Sequence, residues 1–226
     1  SDKRIMTLAG MSAAFAALFG TPMAAALFPM EVISVGIMYY AALVPCVFSA
    51  FIGERISILM GVRTLTAPYP VEKVPNFYGI AWGKAILLAI CFAFAGALFC
   101  VMLHIFEKQL KKWFQNPYLR VFVGGVTVVL LWKITGTDTY LGLGGGTIAQ
   151  SFAESQKLWV FLLKILFTCI TLCSGFKGGE IVPSLFIGAT FGSALAPIFG
   201  LPVDICAACG MVGVFCAVTN SPISSL

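Results

Sequence analysis

The residues with the most chemical character form one short stretch, Ser174-Gly175-Phe176-Lys177-Gly178-Gly179-Glu180-Ile181-Val182-Pro183, set between two apolar runs. Its glycines allow close backbone approach and unusual dihedrals. Pro183 suits a first helical turn, so a helix over Ser184 to Phe199 is expected, with unpaired N–H groups directed back into the loop. A helix start carries donors and partial positive charge, which suits an anion. Within a membrane it holds one without a buried lysine or arginine, through donors individually weak enough to release it. The candidate anion-holding residues are Gly178, Gly179, Glu180, Ile181, Val182 and, through its hydroxyl, Ser184. Glu180 has three readings: its carboxylate is stabilised by the same helix start, competes with the anion, or turns away to cap backbone groups. A plain Gly-rich turn is the competing explanation for the whole stretch.

Four other positions are weighed against structural explanations. Glu31 lies in an apolar helix, where an acid either serves a pathway or caps a neighbouring element; capping is favoured. Lys164 either lines a pathway or snorkels to an interface, and snorkelling is favoured. His104, at a helix end beside Glu107 and Lys108, suits a surface better than a proton relay. Thr190 reads as a helix-packing residue. Cys206-x-x-Cys209 allows a membrane redox protein as an alternative of another class. With no second pair at zinc-site spacing and no histidine nearby, small apolar packing residues describe these cysteines better, and no metal site is assigned.

These residues need elements to position them, and composition says what kind. The chain has 226 residues, 60% hydrophobic and 10% charged, with a mean hydropathy of +0.99. Soluble domains carry about 25% charged residues, so lipid is the natural solvent. The net charge of +5 lies outside the apolar runs, which fits membrane topology and not nucleic-acid binding. No cleavable leader stands out after Ser1-Asp2-Lys3-Arg4. Apolar runs cover residues 5–19, Met23 to about Val35, Ile37 to Met60, 79–106, Val121 to Ile134, Leu158 to Leu172, Pro183 to Phe199 and Val203 to Val218. Pro22 starts the second run. Residues 61–78 read as a Pro-rich extramembrane loop, and 135–148 as a Gly- and Thr-rich one. Lys108, Lys111, Lys112, Trp113 and Arg120 suggest a cytoplasmic boundary. Several runs are too short to cross a bilayer alone, as in discontinuous membrane helices.

The chain also repeats itself. Gly10, Met11, Phe15, Ala17 and Pro22 recur as Gly210, Met211, Phe215, Ala217 and Pro222, all at an offset of 200. Chance similarity between Ala-rich segments is the alternative. A real repeat places a binding site at the repeat interface. It also puts the partner of the Gly178 loop upstream of Ser1 and the partner of Glu31 beyond Leu226.

Gly179-Glu180-Ile181-Val182-Pro183, continued by Phe186-Ile187-Gly188-Ala189-Thr190-Phe191-Gly192, resembles the Gly-x-Phe-x-Pro region of the CLC chloride channels and anion/proton exchangers. Gly20-Thr21-Pro22-Met23-Ala24-Ala25-Ala26-Leu27-Phe28 with Glu31, and Thr219-Asn220-Ser221-Pro222, resemble the corresponding segments of that family's two inverted repeats. The resemblance covers nearly the whole chain. It implies an all-α integral membrane fold, a CLC-type inverted-repeat bundle with broken, tilted and re-entrant helices. Residues 1–60 would end the first repeat, 61–78 link the two, and 79–226 form most of the second, as a central fragment cut at both ends.

The resemblance further implies a homodimer in lipid, in a bacterial inner membrane. It would be a transporter and not an enzyme, with a halide as cargo, no cofactor, and protons as the exchanged ion in some members. The backbone N–H groups of Glu180 and Ile181 would contact the central anion. Ile181 stands where the family usually has Phe, and the Gly-Glu-Ile version resembles a bacterial branch containing fluoride/proton antiporters. Val32 stands where chloride/proton exchangers carry a second acid, which argues against their internal proton path. A fluoride/proton antiporter is thus the first subtype, and a chloride channel or exchanger the second.

Overall fold

The computed structural model describes residues 2–33, 38–62 and 80–225. Most of the expected 61–78 loop, Ser34 and Val35 of the second run, Ile37 of the third and Gly79 of the fourth lie outside the described residues. Among the described residues ten α-helices follow one another: α1 Asp2–Phe19, α2 Pro22–Ile33, α3 Leu43–Leu59, α4 Ile80–Trp113, α5 Pro117–Thr135, α6 Gly145–Ala153, α7 Trp159–Cys173, α8 Ile181–Phe199, α9 Val203–Thr219 and α10 Pro222–Ser225. A short 3₁₀ turn, Tyr40–Ala42, leads into α3. Among the described residues there is no strand.

The helix boundaries follow local chemistry. Pro117 opens α5, Asn116 Oδ1 accepts the Tyr118 N–H at 3.1 Å, and Gly136 closes the helix at φ +64°. The α4 helix runs to Trp113, past the expected end of the apolar run at 106, and Glu107 and Lys111 pair one turn apart at 2.5 Å along that extension. Its 34 residues extend about 50 Å, beyond a ~30 Å hydrocarbon layer.

Among the described residues four helical stretches are long and apolar enough to cross a membrane: Tyr40–Leu59, Trp82–Trp113, Pro117–Thr135 and Ile181–Phe199. Along α5 the apolar side chains Phe122, Val129 and Ile134 are exposed, a surface suited to lipid and unsuited to water.

The chain forms two compact units. The first comprises residues 1–69 and 219–226, the second 70–218. In the first, α1 and α3 run parallel. Ser49 Oγ lies 2.9 Å from the Ala9 carbonyl oxygen, Ser57 Oγ lies 3.0 Å from that of Ala17, and a Cβ on Gly53 would sit 2.6 Å from that of Ala13. These contacts join one small-residue stripe at four-residue spacing to another, the membrane route to close helix approach. In the second unit, α8 and α9 run antiparallel and touch through Gly188 against Gly210 and Gly192 against Cys206. Phe92, Phe99, Phe161, Ile187 and Val214 form the centre of its apolar core.

The offset of 200 reappears in the backbone. The α1 helix ends at Phe19 and α9 at Thr219. The next residues, Gly20 and Asn220, both have positive φ, +67° and +53°. Pro22 and Pro222 then open α2 and α10. Two helix ends, two left-handed residues and two proline starts thus coincide at one spacing.

Candidate functional site

Residues 174–180 form the loop between α7 and α8, and Ile181, Val182 and Pro183 open α8. Ser174 closes α7 with its Oγ 2.5 Å from the Ile170 carbonyl oxygen, and Gly175 turns the chain at φ +107°. Only glycine adopts that backbone comfortably. Gly178, Gly179 and Glu180 are exposed, while Ile181 and Val182 are half-buried.

The α8 helix starts at Ile181, three residues before the expected Ser184. Glu180 is its N-cap, and no side chain caps the helix start. Pro183 is therefore the third helical residue and brings no N–H. The first-turn N–H groups of Ile181 and Val182 have no intrahelical acceptor. Two backbone donors and the positive helix end face the loop, with no side chain consuming them.

Ser184 is buried, and its Oγ donates to the Ile181 carbonyl oxygen at 2.6 Å, so its hydroxyl hydrogen is committed within the turn. Its backbone N–H donates to the Glu180 carbonyl oxygen at 3.0 Å, the first closed bond of the helix. Thr190 is buried and donates to the Phe186 carbonyl oxygen of its own helix at 2.8 Å.

Glu31 belongs to the first unit. Its carboxylate accepts from the backbone N–H of Ile223 at 2.8 Å, and from the backbone N–H and Oγ of Ser224, both at 2.9 Å. Of the two roles weighed for it, the geometry is that of the structural cap.

Lys164 departs from expectation. It does not snorkel: it is 2% exposed, and its Nζ donates to the carbonyl oxygens of Tyr140 at 3.1 Å and Gly142 at 2.8 Å. The ammonium also lies 4.8 Å from the Phe186 ring centroid. The Gly- and Thr-rich segment expected as loop supplies those carbonyls, then starts α6 at Gly145 after Gly144 at φ +70°. An interior acceptor set holds the cation where the sequence suggested an interface.

Cys206 and Cys209 are free thiols, one buried in the core and the other exposed. Among the described residues, no group of three or more His, Cys, Asp and Glu side chains clusters as a metal site would need.

The loop opens onto a cleft of about 470 Å³ that sequence reasoning missed. Cys100, His104, Glu107 and Lys111 line it from one face of α4, Arg120 from α5, and Glu180 from the loop. The spacing of the four α4 residues carried a signal, since positions three and four apart share a helix face. Nothing in the spacing tied that face to Arg120 or Glu180.

Comparison with known proteins gives the family and the fold. The family described as "Voltage gated chloride channel" matches residues 1–226. A "Chloride/fluoride channel protein" of Pseudomonas syringae pv. tomato is 37% identical over 231 residues, covering 100% of this chain and 51% of its own length. The crystal structure of a CLC-type fluoride/proton antiporter matches with a TM-score of 0.91 and 32% identity, over 98% of this chain and 56% of that one. The chain thus spans about half the length of these relatives. With the family match running over every residue and the fold shared at that level, this all-α membrane chain belongs to the voltage-gated chloride channel, or CLC, family.

Proposed function

We propose that the protein carrying this chain moves halide ions across a bacterial inner membrane as a homodimer, and that its first activity is fluoride/proton antiport. The observation that carries this reading is the start of α8: Ile181 and Val182 present free backbone donors, and Pro183 contributes none that would need an acceptor. Glu180, Ile181 and Val182 are the proposed anion contacts through their N–H groups, with Gly178 and Gly179 permitting close approach. Ser184 shapes the turn. The halide is cargo, so the chemistry needs no bound cofactor: partial dehydration is offset by contacts at a helix start within the membrane.

The coincident helix ends at Phe19 and Thr219 support reading residues 1–60 and 79–226 as parts of two repeats. The fluoride subtype is supported by the Gly-Glu-Ile motif and by the likeness to a fluoride/proton antiporter. A chloride channel or exchanger is the second reading, favoured by the "Chloride/fluoride channel" description of the Pseudomonas relative.

Efflux from proteoliposomes, fluoride against chloride, with pH followed in the same vesicles, tests both readings. Fluoride efflux coupled to proton uptake is expected. Chloride efflux in preference to fluoride replaces the first reading with the second, proton movement with it marking the exchanger and its absence the channel, and movement of neither halide overturns both.

A further inference from the structure

The cleft beside Glu180 contains a cation that the protein leaves unpaired. Five ionisable side chains other than thiols line it: His104, Glu107, Lys111, Arg120 and Glu180. Glu107 and Lys111 form an ion pair at 2.5 Å and largely offset one another. Among the described residues Arg120 forms no ion pair, and its Nε is shielded from solvent with no hydrogen-bond partner. Its guanidinium reaches the loop: a Cβ on Gly175 would lie 3.9 Å from Arg120 Nη2.

A guanidinium that is partly desolvated and unpaired is costly, and a small anion resolves that cost. At ~30 Å³ per water, a halide with about six waters occupies roughly 200 Å³, which a cleft of about 470 Å³ accommodates. Glu180 opposes the anion from the loop side, so the ion's position is nearest Arg120.

We propose that Arg120 captures a hydrated halide in this cleft before the ion reaches the start of α8. The inference rests on the transport reading, since it adds an entry site to the same anion path. Arg120 is the ligand, and the Glu107–Lys111 pair keeps Lys111 from competing for the ion.

Cys100 lines the same cleft and reports its potential. The purified protein is treated in separate samples with a sulfonate-bearing and a trimethylammonium-bearing methanethiosulfonate. The adduct at Cys100 is then quantified by mass spectrometry, with every native cysteine kept. Arg120→Gln is expected to lower the sulfonate-to-ammonium rate ratio about threefold to tenfold, and Arg120→Lys to restore most of it. An unchanged ratio in Arg120→Gln overturns the proposal.

Flux supplies a second measurement. Arg120→Gln raises the apparent KM for halide severalfold and leaves kcat near wild type. A fall in kcat alone assigns Arg120 a structural role and overturns capture. If the protein moves no halide, the transport reading fails, while the Cys100 ratio still decides whether the cleft concentrates anions.

Discussion

Glu31 and Ser224, 193 residues apart, are joined by two hydrogen bonds of 2.9 Å: the Ser224 N–H and Oγ both donate to the same carboxylate oxygen. The other oxygen accepts the Ile223 N–H at 2.8 Å. Glu31 is 7% exposed, so these donors compensate its burial. Glu31→Ala strands the buried N–H of Ser224 and the part-buried N–H of Ile223 at the start of α10 and should cost about 2–4 kcal/mol. Glu31→Gln keeps an acceptor but turns an amide donor toward N–H groups, and should cost about half as much. Thermal unfolding in detergent measures both. A proton-carrying Glu31 would give a different signature: Glu31→Gln would keep its melting temperature and lose proton coupling.

The α8–α9 contact makes a steric prediction. A Cβ on Gly188 would overlap the Gly210 carbonyl, and one on Gly192 the Cys206 carbonyl. Neither obstacle is the end of a flexible side chain, so the helices must part. Gly192→Ala should destabilise by about 1–3 kcal/mol, and Gly188→Ala by as much. Gly145→Ala should change little, because nothing lies within 4 Å of a Cβ there. Size-exclusion profiles after graded heating rank the three variants; equal behaviour would remove the close-packing argument.

Much of this architecture was legible because glycine and proline punctuate it. Gly20 and Pro22 mark a helix end and the next start, and Asn220 and Pro222 repeat the signal, asparagine being the other residue that tolerates a left-handed backbone. The donor loop was legible for the same reason, although α8 begins at Ile181, since proline is tolerated throughout a first turn and does not single out its first position. The fate of Lys164 was not legible. Its partners are main-chain carbonyls of Tyr140 and Gly142, which leave no side-chain pattern in a sequence. The α6 helix was hidden by three consecutive glycines, which disfavour helix in isolation. Arg120 read as one more basic residue at a boundary, because its burial depends on the return of the α7–α8 loop beside α5.

The buried lysine gives the third prediction. Lys164→Met matches the side chain in length and removes the donors, leaving the buried Tyr140 carbonyl and the part-buried Gly142 carbonyl without them. A loss of about 2–3 kcal/mol is expected, together with faster proteolysis of the segment between Gly136 and Gly144. A lysine that snorkelled would give a neutral or stabilising Lys164→Met. Melting curves paired with cleavage-site mapping separate the two outcomes.

The backbone donors at the start of α8 can be tested one atom at a time. A proline at position 181 removes the N–H but disfavours the α-region backbone of Glu180, at φ −85° and ψ −17°, so it would confound loss of a donor with strain. Replacing Ile181 by its α-hydroxy acid converts the amide to an ester, deleting the N–H and keeping the side chain. That N–H has no intrahelical acceptor, so the helix loses no bond of its own and its stability should hold. The anion, however, loses a hydrogen bond of the kind that contributes about 1.5–3 kcal/mol to a charged group. Apparent halide affinity should fall tenfold or more, with the melting temperature within a degree or two of wild type. The same ester at Val182 should act similarly, and one at Ile187 should lower stability by breaking an internal helix bond. Unchanged halide affinity in both the Ile181 and Val182 esters would remove the helix start from the anion path and leave Arg120 and its cleft to account for any transport.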